Sequence, residues 1–272
     1  MKLGIFSKTF ADLDFETAIQ KINDYNLNYI QFNFANIGLK SMPEIVTEDE
    51  IRNIASITKK YSVKISAISG TFNALEQDKE KLERNLHCFR AIVESARNLN
   101  VPIVSISTGS FNQENFWASH PENHTEKAWH YLINSLHSML KIAEDNHIIL
   151  AFEPEQANVV STSKDAVRLI EYFQSKNLRV LFDAANIINV NNADKMLETI
   201  YTSVDQLKDY IVLAHCKDIL ATKEYIKFVP VGQGNLPLKK YIDYLTKSYD
   251  GPIIMHGLEK KDIPHALKYL NI

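Results

Sequence analysis

The sequence predicts an α/β protein, a single (β/α)8 TIM barrel over residues 1–272, on three observations. Short apolar runs alternate with helix-period segments from one end to the other, the signature of βα units and a parallel sheet. About eight such units can be counted, the number that closes a barrel. Acidic and imidazole residues stand where the later apolar runs stop: Glu153 after 148–152, Asp183 after 179–182, His215 after 211–214 and His256 after 252–255. Closure gathers the carboxyl ends of barrel strands into one mouth, where such barrels keep their chemistry.

The expected strands are 2–7, 29–34, 63–69, 102–107, 148–153, 179–183, 211–215 and 252–256. Helical segments lie between them near 14–26, 47–61, 79–99, 125–146, 163–175, 193–208, 237–248 and 262–270. In the third helix Leu82, Leu86, Phe89, Val93, Ala96 and Leu99 recur at spacings of three and four, giving one apolar face. Thr47-Glu48-Asp49-Glu50 reads as a capping box that starts the second helix. Alternation along the strands puts Ile149, Ala151 and Glu153 on one side, and likewise Ile211, Leu213 and His215. The longest connections, 108–124 and 218–236, follow the fourth and seventh strands and would roof the mouth. The first carries Trp117, His120, Asn123 and His124; the second carries Val231-Gly232-Gln233-Gly234, which suits a plain turn better than a phosphate cradle. No linker-like or low-complexity stretch divides the chain, so one domain is expected.

A hydrophobic content of 45% with 23% charged residues supports one large core. The formal charge of −3 and a pI near 6.3 provide no broad basic surface, which argues against nucleic acid as a partner. Two cysteines, Cys88 and Cys216, form no Cys-x-x-Cys pair and suit a reduced, cytoplasmic protein. The apolar stretch at the amino terminus meets Lys8 too soon for a signal peptide or membrane span, so no membrane partner is expected. Apolar faces on the outer helices leave a homo-oligomer open, because sequence does not separate them from core.

An ionised carboxylate at the end of a buried strand is costly unless paired or ligated. Glu153 and Asp183 together with imidazole nitrogen therefore suggest one divalent metal ion. Two hard oxygens and one or two nitrogens suit Mn²⁺, Co²⁺, Zn²⁺ or Mg²⁺, with positions left for water or substrate oxygens. The bland alternative is ion pairing with strand-end lysines and a loop-capping His215; three such residues on successive strands weigh against it. His87, His130, His137 and His265 fall in helical segments and His147 precedes a strand at the opposite end, so these are placed outside the site. Cys216 is expected to fill space beside His215.

The runs Phe152-Glu153-Pro154-Glu155, Leu181-Phe182-Asp183-Ala184-Ala185-Asn186 and Ala214-His215-Cys216-Lys217-Asp218 resemble the xylose isomerase-like TIM barrels, which include sugar-phosphate isomerases and epimerases. Ser69-Gly70-Thr71-Phe72-Asn73, Thr108-Gly109-Ser110 and Pro230-Val231-Gly232-Gln233-Gly234 extend the resemblance over nearly the whole chain. It implies a divalent metal held by Glu153, Asp183 and His215, normally completed by a glutamate ending the eighth strand. Here His256 stands at that position, as a fourth ligand or as the acid or base opposite Glu153, since imidazole titrates close to working pH. The resemblance also implies that Glu153 carries a proton as well as binding metal. Glu155, Asn186 and Lys217 are then expected to bind substrate oxygens, with Trp117 and His120 covering the sugar. Asn186 replaces a histidine common in the family, and it can hydrogen-bond a hydroxyl but not shuttle a proton. The expected activity is isomerisation or epimerisation of a small carbohydrate by proton transfer next to a carbonyl. A lyase or dehydratase on the same scaffold is the alternative, as is a non-catalytic sugar-binding protein. Apurinic endonucleases share the superfamily, but their multi-metal histidine set and this chain's acidic pI argue against that reading.

Overall fold

The computed structural model describes residues 2–271. Ten strands are found among them: β1 (Leu3–Phe6), β2 (Tyr29–Phe32), β3 (Lys64–Ser69), β4 (Ile103–Ser107), β5 (Ile149–Glu153), β6 (Leu178–Asp183), β7 (Ile211–Cys216), β8 (Asp218–Ala221), β9 (Ile226–Val229) and β10 (Ile253–Met255). All but β8 and β9 pair in parallel in the closed order β1-β10-β7-β6-β5-β4-β3-β2, so β10 returns to the edge of β1 and completes a (β/α)8 barrel. The outer ring comprises α1 (Phe15–Asp24), α2 (Glu48–Lys60), α3 (Lys79–Asn98), α4 (Glu126–Asp145), α5 (Ser163–Phe173), α6 (Met196–Leu207), α7 (Leu238–Leu245) and α8 (Ile263–Leu270). Every strand and helix expected from periodicity is found, with ends that shift by a few residues.

The end points have local causes. Strand β2 stops at Phe32 because the Asn33 side chain accepts a hydrogen bond from the Ala35 N–H and opens a 3-10 turn, Phe34–Ile37. The capping box of α2 forms as expected: the Glu50 N–H donates to Thr47 Oγ1 at 3.3 Å, and the Thr47 N–H donates to Glu50 Oε2 at 2.7 Å. Thr162 and Asp165 repeat the device at α5. What periodicity missed is the antiparallel β8–β9 hairpin inside the long 218–236 connection. Its strands are only four residues each, too short to stand out from the surrounding connection as apolar runs.

Two buried layers follow from alternation. Ala67, Ile103, Ala151, Leu181, Leu213 and Ile254 fill the barrel interior, while their neighbours Val104, Phe152, Phe182, Ala214 and Ile253 pack outward against the helices. One expectation fails here. Ile211 does not share a face with Leu213 and His215: the β6–β7 register slips between Val180/Leu181, pairing Val180 with Ile211 but Leu181 with Leu213. The extra residue, Val212, packs toward the inner cluster and turns Ile211 to the outer one. Above the slip, Asp183 pairs with His215, and on the β4–β5 ladder Ser107 pairs with Glu153, which brings the polar strand ends level.

Candidate metal centre

Alternation carries Ala151 on to Glu153, Leu181 to Asp183 and Leu213 to His215, so each polar side chain continues an inward-facing column into the mouth. Each of the three offers one ligand atom, and these atoms lie within 4.8 Å of one another. His215 Nδ1 stands 3.2 Å from Glu153 Oε1 and 3.8 Å from Asp183 Oδ2. On the other side of the ring Nε2 is 2.7 Å from Gln31 Oε1, while the Gln31 amide nitrogen donates to Ser105 Oγ at 3.1 Å. That amide orientation leaves Oε1 as acceptor, so Nε2 carries the imidazole proton and Nδ1 presents a lone pair. A lone pair facing two carboxylates is repulsive until a cation stands between them. Asp183 Oδ2 is buried with no hydrogen bond, although Oδ1 accepts from the Ala185 N–H at 3.0 Å. A buried carboxylate oxygen that accepts no hydrogen bond, a second carboxylate and an unprotonated imidazole nitrogen are a donor set that fits a divalent ion.

Around this set the remaining polar groups are already committed. Asn186, wholly buried, donates from Nδ2 to Glu153 Oε1 at 2.7 Å and accepts at Oδ1 from Lys217 Nζ at 3.4 Å. It therefore holds the carboxylate from behind, not in the substrate-facing place expected from sequence. Lys217 Nζ is 3.2 Å from Glu153 Oε1 and 3.2 Å from Asp183 Oδ2. Burial alone would raise the Glu153 pKa, but the Lys217 ammonium outweighs it and the net shift is downward. Burial prevails at Asp183, whose pKa is raised despite Lys217. Burial opposes the charge on Lys217, yet Glu153, Asp183 and Glu155 outweigh it and the ammonium is held more firmly than usual.

A cavity of about 440 Å³ opens above these groups, within the usual size of small-molecule sites. Glu153, Glu155, His215, Lys217, His256 and Trp117 line it. Burial, and then the Glu153 charge, push the Glu155 carboxyl up to about 7. Trp117 is half exposed on the lip and stacks at a tilt on Phe116 with centroids 4.6 Å apart. His120 is not among the lining residues: its Nδ1 accepts from the Glu122 N–H at 3.2 Å, capping the 3-10 turn Pro121–His124, and its ring meets the edge of Phe111. The place expected for it over the sugar is thus taken by Phe116 and Trp117. Asn123 is likewise committed, to Phe111 and Ser110 within its loop and to the Ala157 carbonyl beyond β5.

His256 reaches the cavity but not the ligand set. Its ring lies 3° from parallel to that of His215, stacked with centroids 5.0 Å apart. An imidazole ligates in its own ring plane, and two stacked parallel rings share none, so one ion cannot lie in both. The expected fourth ligand is therefore corrected to a wall residue. Burial, then Lys217 and His215, push its pKa well down, which makes it a neutral imidazole, and its Nδ1 has no partner.

Asp218 explains the Gly-x-Gly turn. Its Oδ2 accepts from the N–H groups of Gly232 and Gly234, both at 2.9 Å, so an internal carboxylate occupies the backbone cradle. Cys216 is fully buried with its thiol pKa raised by burial, as suits a packing residue. Sequence reasoning passed over Gln31, Asn33, Ser105 and Ser107, all lining the cavity. Their signal was available: polar residues at period two in otherwise apolar strands, on the columns that end in the mouth.

A profile described as xylose isomerase-like TIM barrel matches residues 19–271. An inosose dehydratase of Salmonella typhimurium is 26% identical over 163 residues, covering 54% of this chain and 52% of that protein; the chain thus matches about half the length of this relative. The apo form of 3-keto-D-glucoside 4-epimerase from E. coli superposes with a TM-score of 0.77 at 14% identity, covering 100% of this chain and 99% of that one. The IOLI protein, solved with a bound zinc atom, gives 0.73 at 15% identity over 100% and 95% of the two chains. No helix among the described residues is long and apolar enough to cross a membrane.

Proposed function

The chain belongs to the xylose isomerase-like TIM barrel family, and from that premise we propose that it is a divalent-metal-dependent isomerase or epimerase of a small sugar, sugar phosphate or polyol. The observation that carries the reading is the convergence of Glu153, Asp183 and His215 Nδ1, with Asp183 Oδ2 accepting no hydrogen bond and Glu153 and His215 lining the cavity. Bound there, a divalent ion would supply Lewis-acid polarisation of a carbonyl and its neighbouring hydroxyl. Glu153, held by Asn186, removes or returns the carbon-bound proton between those oxygens. His256 enters from β10, three strands round the barrel from β5, and its neutral imidazole is the second proton carrier. Glu155 and Lys217 orient hydroxyls, and Trp117 covers an apolar sugar face. Two buried free cysteines suit a reducing compartment, and the cytoplasm is the proposed one.

Proton removal next to a carbonyl also begins a dehydration, and the similarity to an inosose dehydratase favours that second reading. One experiment separates them. Protein loaded with Mn²⁺, Co²⁺, Zn²⁺ or Mg²⁺ is incubated in D₂O with ketoses, aldoses, their phosphates and inososes, and followed by NMR. The isomerase reading expects deuterium at the carbon beside the carbonyl and a product of unchanged composition. Loss of water would transfer the assignment to a dehydratase. Sugar binding by metal-loaded protein without exchange or turnover would leave a binding protein.

A further inference from the structure

Glu153 Oε1 and Asp183 Oδ2, the two oxygens that face His215 Nδ1, are also the two approached by Lys217 Nζ, at 3.2 Å each. The ammonium is drawn from the same motif as His215, two residues further along the strand end, and its side chain is only 12% exposed. Its third neighbour, Asn186 Oδ1 at 3.4 Å, is neutral, so the lysine is a cation enclosed mainly by the carboxylates. Two buried carboxylates this close repel each other unless a positive charge stands between them. Lys217 supplies that charge from within the chain, and a dication sharing the same oxygens would place like charges on either side of one oxygen shell. The lysine has somewhere else to go. It lines the cavity, Glu155 faces it from the same wall system, and Nζ is 5.8 Å from the centroid of the Phe228 ring on β9.

We propose that Lys217 is the built-in counter-cation of the metal-free centre, and that metal binding displaces its ammonium into the cavity, where it becomes a donor to substrate oxygens. This rests on the metal-centre reading above. In the metal-free chain Lys217 keeps the carboxylates and His215 in place, and the same charge weakens metal uptake. The residue is thus a positioning group whose two positions report whether the centre is loaded.

Calorimetric titration with Mn²⁺, together with thermal unfolding in excess chelator, tests this on wild type, Lys217→Met, Lys217→Gln and Asp183→Ala. The expected result is that Lys217→Met binds Mn²⁺ roughly tenfold more tightly than wild type, the scale of a typical coupling between two sites, while its metal-free form melts at lower temperature. Adding Glu153→Gln to Lys217→Met should recover part of that metal-free stability by removing one of the two facing charges. Lys217→Gln serves if the methionine variant does not fold. Equal or weaker Mn²⁺ binding by the lysine variants, with wild type binding and Asp183→Ala not, overturns the counter-cation role and leaves the metal centre standing. A wild type that binds no divalent ion, and is indistinguishable from Asp183→Ala, overturns both.

Discussion

At the scale of single residues, the orientation of one glutamine amide decides what His215 can do. Gln31 accepts the Nε2 proton only because its own nitrogen is committed to Ser105, and this turns the Nδ1 lone pair toward Glu153 and Asp183. Replacing Gln31 with leucine should leave the barrel folded and lower divalent-metal affinity by about 10- to 100-fold, the usual effect of losing a group that orients a ligating histidine. Calorimetric titration against wild type measures it, and unchanged affinity would show that the tautomer is set elsewhere. The parallel stack on His256 has a different consequence. Because the ring does not share a plane with the ion, His256→Ala should keep metal stoichiometry while turnover drops by about 10²- to 10⁴-fold, the contribution of a proton-transfer group. Metal analysis and kcat on the same preparation check this, and loss of metal together with activity would return His256 to the ligand set.

At the scale of elements, the connection after β7 does two jobs through adjacent residues. Lys217 turns to the carboxylates, and Asp218 turns away to pin the 230–236 turn by its backbone N–H groups. Gly234 is required by this closeness: a Cβ there would lie 2.2 Å from Asp218 Oδ1 and 2.3 Å from the Ile219 carbonyl oxygen. Gly234→Ala should therefore cost about 1–3 kcal/mol of stability, as overpacking does, and loosen the hairpin that carries Phe228. Hydrogen exchange across 218–236 is the measurement, with faster exchange expected there than in α3 or α4; an unchanged pattern would mean that the turn relaxes without releasing Asp218.

At the scale of the whole molecule, closure sets both the core and the site. Leu213 is fully buried in the inner layer, directly below His215 on the same column, and has no route by which helices can collapse onto its space. Leu213→Ala should cost about 2–5 kcal/mol and lower the melting temperature, with metal affinity falling less than in Asp183→Ala because the ligands themselves remain. Chemical denaturation and metal titration of the two variants test the ordering.

The sequence alone determined the eight βα units and the strand ends at which Glu153, Asp183, His215 and His256 stand, because periodicity and strand length are local properties of the backbone. It also determined the capping box at Thr47, since that device needs only residues three apart. The tertiary structure alone decided which of those strand-end groups converge. The β6–β7 slip that sends Ile211 outward, the plane of the His256 ring, the use of Asn186 behind Glu153 and the exclusion of His120 from the cavity depend on neighbours between 2 and 62 positions away, such as the Glu153–His215 pair. Hydrogen-bond direction and ring orientation are set by those partners, and no pattern along the chain encodes them.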